Sequence, residues 1–181
     1  MKLRRAQPGD EARFFEHLQR HSGESGNGDI VFHPTSDHAE WNKNEFVEKL
    51  KVKWSKPLDQ VGWEAVWIVE KEDRIVGHAD LKSGSLKASL HRAVFGMGLE
   101  REARGQGWGR KLADTAITWA RAQAGIDWIE LYVFAHNTPA VSLYESLGFK
   151  QIGTTEDLFR INGQSIADIQ MVLRVGTHHE K

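Results

Sequence analysis

Apolar residues recur along this chain at two spacings, roughly every third or fourth position and every second position. The spacings sort the chain into helices and strands. Residues 2–6 read as a short first strand. Phe14 and Leu18 stand four apart, which predicts a helix from a cap at Asp10 to about His21. Residues 22–29, S-G-E-S-G-N-G-D, hold three glycines in eight and read as a loop. A second helix is expected from near Asp37, where Asp37 and Glu40 have capping-box spacing. Phe46, Leu50 and Trp54 give it one apolar face, and Pro57 marks its end.

The period then shortens to two. Residues 63–69 and 75–81 form a hairpin about a turn at 70–74. Residues 89–99 make another strand, with Gly96 and Gly98 near its end, where glycine marks a bulge or a close backbone approach. A glycine-rich loop leads into a helix running to about Gln123, striped by Leu112, Ala116, Trp119 and Ala120. Residues 128–134 form a strand with Ile129, Leu131 and Val133 on one face. Thr138 is expected to cap the next helix, with Pro139 at its first position and Gly148 just past its end. Two last strands, 150–159 and 165–174, flank a turn at Asn162-Gly163. Strand, loop, helix, strand in the middle is a βαβ unit with parallel neighbours, so the sheet is mixed.

The 181 residues suit one domain, taken as 1–175 with a polar tail at 176–181. Hydrophobic residues make up 40% and charged residues 27%, with a formal net charge of −1. Bulk electrostatics therefore point to neither a nucleic-acid nor a membrane partner. Cysteine is absent, which excludes disulfides, a thiol nucleophile and thiolate metal sites. His33, His78, His91 and His136 lack metal-ligand spacing, and His178-His179 reads as a solvated tail. No apolar run approaches bilayer length and no signal-peptide core stands at the start, so a cytoplasmic location is the expectation. Seven tryptophans are read mostly as core or pocket wall.

The chemistry concentrates at residues 101–110, R-E-A-R-G-Q-G-W-G-R. Alternating glycines let a backbone approach a ligand closely. The helix that starts near Trp108 presents unpaired N–H groups and a positive dipole end to an anion. Arg104 and Arg110 add charge. A Walker phosphate loop is excluded because G-x-x-x-x-G-K-[ST] is missing, and Gly105-Gln106-Gly107-Trp108-Gly109 is not the dinucleotide G-x-G-x-x-G. A ligand-free glycine connection stays open on this loop alone.

Two motifs in order decide more. Arg104-Gly105-Gln106-Gly107-Trp108-Gly109 matches the acetyl-CoA motif [Q/R]-x-x-G-x-[G/A], and residues 137–149, N-T-P-A-V-S-L-Y-E-S-L-G-F, match N-x-x-A-x-x-x-Y-x-x-x-G-F. The chain thus resembles the GNAT superfamily of N-acetyltransferases over about residues 89–173. Its end, from Ile161-Asn162-Gly163 through Asp168 to Met171, is similar to the ribosomal-protein N-terminal acetyltransferase branch. The resemblance implies an α/β (α+β) single-domain fold, a mixed and mostly antiparallel seven-stranded sheet splayed in the middle and flanked by about four helices.

The resemblance also implies roles. Acetyl-CoA is the cosubstrate, no metal takes part, and the acceptor is a small-molecule or peptide amine. A homodimer stays open. The pantetheine arm lies between strands splayed at a bulge. Main-chain groups of Met97, Gly98 and Leu99 bind the arm and polarise the thioester. The amides of Gly105, Gln106, Gly107, Trp108, Gly109 and Arg110 hold the pyrophosphate, and Asn137 bonds the arm. Tyr144 protonates the departing thiolate, although Val141, Tyr144 and Leu147 also form a core stripe. For the general base, the branch's glutamate is replaced by Tyr132, and Glu130 lies two residues earlier on the same strand face. His78, Asp80 and Glu24 are further candidates, each also readable as a surface or pairing residue. With no cysteine, transfer proceeds by direct attack in a ternary complex. A non-catalytic acyl-CoA-binding module and a longer acyl donor are the alternatives. Residues 22–38 and 159–165 are expected to roof the acceptor site, with Glu24 and Asp29 compatible with a cationic substrate.

Overall fold

A computed structural model describes residues 1–27, 30–34 and 42–176. Asp29, Asp37, Glu40 and the 177–181 tail lie outside the described residues. The elements run β1 (Lys2–Arg5), α1 (Glu11–Gly23), α2 (Lys43–Ser55), β2 (Glu64–Lys71), β3 (Arg74–Ser83), β4 (Arg92–Leu99), α3 (Trp108–Arg121), β5 (Trp128–Phe134), α4 (Thr138–Ser146), β6 (Lys150–Ile161) and β7 (Gln164–Arg174). The described strands form one seven-stranded sheet in the order β1-β2-β3-β4-β5-β7-β6. Only β4 and β5 pair in parallel, as the βαβ reading requires.

The sheet is covered on both faces. Leu112, Ala113, Ala116 and Ala120 of α3 pack without exposure on one face, against Ala79, Leu81, Ala93, Ile129 and Leu131. On the other face Phe14 of α1 and Leu50 of α2 close over Val66, Ile68 and Ile75. Each of the buried leucine, isoleucine, valine and phenylalanine side chains among these contributes roughly 1.5–3 kcal/mol. Both hairpin turns use consecutive positive-φ residues, Glu72 (49°) with Asp73 (62°) and Asn162 (51°) with Gly163 (77°). That matches strand twist. Arg13 steadies the first turn by donating to the Asp73 carbonyl at 2.7 Å.

Several local expectations are corrected. Asp10 stands at the start of α1 but makes no capping bond. Its carboxylate instead takes Arg4 at 2.7 Å and the Gln7 amide at 2.9 Å. Asn42, with its oxygen on the amides of Asn44 and Glu45, caps the described helix α2. β4 begins at Arg92 because residues 87–89 form a 3₁₀ turn. Asn137, not Thr138, caps α4. No bulge marks Gly96 or Gly98; β4 keeps continuous register with β3 from Gly77 opposite Leu99 to Ser83 opposite Ala93.

Candidate active site

The site begins where β4 and β5 part. Their pairing covers Arg92 to Val94 against Trp128 to Glu130 and stops there. Beyond it β5 pairs on its far side with β7, through Phe134 opposite Asp168. The backbone of Phe95 to Leu99 therefore faces a widening gap with β3 on its other side only. Met97, Gly98 and Leu99 lie along this gap. The Leu99 carbonyl is already taken by Arg104 Nε at 2.8 Å.

The glycine loop follows Leu99, at the end of the gap away from the β4–β5 pairing. Gly105 (φ 71°) and Gly107 (φ 78°) need the left-handed region, whereas Gly109 sits in close packing. A Cβ at Gly109 would meet Leu143 at 3.3 Å and Leu99 at 3.6 Å. The Lys111 amide bonds Gly107 O at 3.2 Å, so the amides just ahead of it have no helical turn to bond. The two arginines do not simply add charge. Arg104 pairs with Glu24 at 2.5 Å and lies over the Phe32 ring, and Arg110 donates to Ser146 Oγ at 2.5 Å. Glu24 also takes the Arg101 amide at 2.9 Å. It therefore ties the 22–27 loop to the anion loop. Gln106 turns back onto the Glu102 carbonyl at 2.7 Å, and Lys111 lies over the Trp108 ring.

Tyr144 projects from α4 into the same region. Its ring meets Phe95 of β4 edge-on at 6.1 Å and is 7% exposed. Burial pushes its phenol well above the ordinary value, so it holds its proton at neutral pH. Asn137 accepts from the Ala140 amide at 3.4 Å, which commits its oxygen to the helix. Glu130 sits at the closed end of the gap and takes both Arg92 Nε and a terminal nitrogen, at 3.0 and 2.9 Å. Tyr132 is 54% exposed and accepts from Gln170 at 3.1 Å.

A buried cluster on the α1 side of the gap brings His78 and Asp80 together with three residues the sequence reading passed over: His17, His21 and Glu100. Glu100 Oε1 lies 2.8 Å from His17 Nδ1, and His17 Nε2 lies 2.8 Å from His78 Nδ1. His78 Nε2 is 3.7 Å from Asp80 Oδ1. Arg20 and Arg74 hold Glu100 at 3.0 and 2.9 Å. Burial drives all three imidazoles below the ordinary histidine value, His21 to about 3. Burial alone would raise Glu100, but bonds from His17 and Arg20 outweigh it and hold the carboxyl below its usual range. The rings lie directly on β4: a Cβ at Gly98 would come within 2.6 Å of His21 Cε1 and 2.7 Å of His78 Cε1, and one at Gly96 within 2.5 Å of Asp80 Oδ1. The two glycines thus mark close approach. His17 and His21 stand at i, i+4 beside the apolar Phe14, a signal that was legible. No group of three or more His, Cys, Asp or Glu among the described residues has metal-holding geometry.

A parted pair of strands, an amide-lined turn at one end and a buried phenol beside them invite comparison with known proteins. The profile of the acetyltransferase (GNAT) family matches residues 35–149. The chain belongs to the GNAT acetyltransferase family. A mycothiol acetyltransferase from Acidothermus cellulolyticus is 28% identical over 134 residues, which span 66% of this chain and 39% of that relative. The match thus covers well under half of the relative's length. Among solved structures, yncA from Salmonella typhimurium, solved with its cofactor acetyl-CoA, superposes with a TM-score of 0.81 at 18% identity, covering 100% of this chain and 97% of that one. The ribosomal-protein-alanine N-acetyltransferase from Brucella melitensis does so at 0.74 and 20%, covering 96% and 99%. At these identities the structures establish a shared fold. No helix of the described residues is long and apolar enough to cross a membrane.

Proposed function

We propose that the chain moves an acetyl group from acetyl-CoA to a primary amine by direct attack in a ternary complex. The observation that carries this reading is the parting of β4 and β5 beyond Val94 and Glu130. It opens β4 main chain to a ligand arm between an anion loop and a buried phenol. The pyrophosphate rests on the amides of Gly105 through Arg110, where the α3 dipole favours negative charge. The arm runs along Met97 and Gly98, with the Asn137 amide at its side. Attack places charge on the thioester oxygen, and a fixed main-chain N–H of β4 stabilises it. As the C–S bond breaks, Tyr144 gives its proton to the sulfur. The raised pKa of Tyr144 keeps that proton available at all neutral pH values.

The relative and the neighbour carry different acceptors in their names, mycothiol and ribosomal-protein alanine. The proposed acceptor is a primary amine. Calorimetry with acetyl-CoA and CoA tests the donor half, and no binding at concentrations near about 1 mM, the upper end of ordinary substrate constants, overturns it. A second reading, a module that binds acyl-CoA without catalysis, draws on Tyr132 standing where the resembling branch has its glutamate and on Glu130 being held by Arg92. Cofactor binding with no thiol release across an amine panel would favour it. Faster release with longer acyl-CoA would change the donor.

A further inference from the structure

The buried cluster fixes which of its nitrogens carry protons. Glu100 lies below its ordinary pKa and is held by Arg20 and Arg74, so it is a carboxylate and can only accept. His17 Nδ1, 2.8 Å away, must therefore be the donor. Neutral His17 then has its lone pair on Nε2. His78 Nδ1, 2.8 Å from that lone pair, must donate in turn. The chain of constraint ends at His78 Nε2, which is left with a lone pair. That atom has no hydrogen bond among the described residues, and Asp80 Oδ1 lies 3.7 Å away. It adjoins Gly98, because the neighbouring Cε1 would lie 2.7 Å from a Cβ there.

We propose that His78 Nε2 is the general base of the acetyl transfer, with His17 and Glu100 as positioning residues that set its tautomer. The inference rests on the acetyltransferase reading above. A neutral amine attacks the thioester carbon; the C–N bond forms and the carbonyl π pair moves to oxygen. The nitrogen, now cationic, gives one proton to the lone pair of His78 Nε2. The C–S bond breaks, and the sulfur takes the Tyr144 proton. The imidazolium formed on His78 faces the Asp80 carboxylate. Its Nδ1 proton stays on the bond to His17, and once the products leave, the Nε2 proton passes to water, which restores the starting tautomers. Tyr144 regains a proton from solvent, and the cycle balances. His21 is as close to Gly98 but no described carboxylate bonds its ring, so no such bond sets its tautomer. The Gly98 hydrogen is what admits the imidazoles to the strand.

The groups facing His78 are His17 and His21 from α1, Asp80 and Lys82 on β3, and His33 from the loop. Burial above all, and then His17, His21, Lys82 and His33, hold its pKa down. A base kept neutral in this way offers its lone pair throughout the range above about pH 6.5, the ordinary histidine value.

Nitrogen NMR on the unmodified protein at pH 7 reads the tautomers directly. His17 and His78 should both carry their proton on Nδ1; a proton on His78 Nε2 overturns the proposal. Single-turnover acetyl transfer by His78→Gln should fall about 100-fold or more, the usual share of a general base, with acetyl-CoA affinity unchanged. Glu100→Gln should slow transfer less and turn His78 into a tautomer mixture, which a merely structural carboxylate would not do. An undiminished rate in folded His78→Gln overturns the base role of His78 and leaves the acetyltransferase reading standing. Absence of amine-dependent thiol release in the wild type overturns both.

Discussion

His17 Nε2 lies 2.8 Å from His78 Nδ1, although 61 residues separate them. The contact joins the interior face of α1 to the middle of β3. Phe14 packs edge-on against His78 at 5.2 Å and holds the pair from the side. Replacing His17 with phenylalanine keeps a ring in place but removes the acceptor for His78 Nδ1–H. A buried donor left unpaired costs about 1–3 kcal/mol. Chemical denaturation of His17→Phe should show a loss in that range, with a larger proportional loss in turnover than in acetyl-CoA affinity.

The buried imidazoles also make stability depend on pH. Each has a folded pKa below the unfolded value of about 6.5. The unfolded chain therefore binds protons that the folded chain refuses, and stability falls as pH drops. His21, held to about 3, alone accounts for about 2 kcal/mol of loss by pH 5. The full stability is present above about pH 6.5 and is lost progressively towards 3. Thermal melts from pH 8 to 4.5 should show a falling Tm that His21→Phe flattens.

Gly98 is where the cluster meets the strand. Alanine there places a methyl 2.6 Å from His21 Cε1, and two rings backed by packed helix must move. Overpacking of this kind costs about 1–3 kcal/mol. Gly98→Ala should be destabilised in that range and should lose acetyl transfer more than acetyl-CoA binding.

Gly107 is the contrasting case. Space around it is open, but φ is 78°. Alanine strains the turn by roughly 1 kcal/mol or more. The amides that hold pyrophosphate are re-aimed, so calorimetry should show weaker acetyl-CoA binding with little change in turnover at saturation.

Much of this site was legible locally. The β5 limits, the α3 glycine turn and the second hairpin turn at Asn162-Gly163 all follow from residues next to one another. The cap of α4 was misplaced by one position because Asn137 and Thr138 are both good caps and Pro139 fits either of the first helical positions. Gly96 and Gly98 announced a close approach, but the approaching groups come from α1 and β3, which no local pattern names. Glu24 looked like a substrate contact because its partners, Arg101 and Arg104, lie more than 70 residues on. His17, His21 and Glu100 acquire meaning only when three separate elements meet. Besides the two glycines, the i, i+4 histidines beside Phe14 were the trace of that meeting in the sequence.

Glu24→Gln tests the tie between the two loops. It loses the ion pair to Arg104 and weakens the hold on the Arg101 amide, both partly exposed, so stability should change by no more than about 1 kcal/mol. Acetyl-CoA binding should weaken several-fold as the anion loop loosens, a shift that calorimetry resolves.

Tyr144→Phe separates the two roles of that side chain. The ring contacts with Phe95 and Phe149 survive, and only the hydroxyl is lost. Turnover should fall by about 100-fold, the scale of general acid catalysis, with acetyl-CoA affinity nearly intact. Unchanged turnover removes Tyr144 from the acid role.

The most direct measurement is thiol release from acetyl-CoA by the unmodified protein across a panel of primary amines, with the amine products weighed by mass spectrometry. Acetyl transfer requires release that depends on the amine, matched mole for mole by a product heavier by one acetyl group. Cofactor binding without amine-dependent release, or release without an acetylated amine, would contradict it.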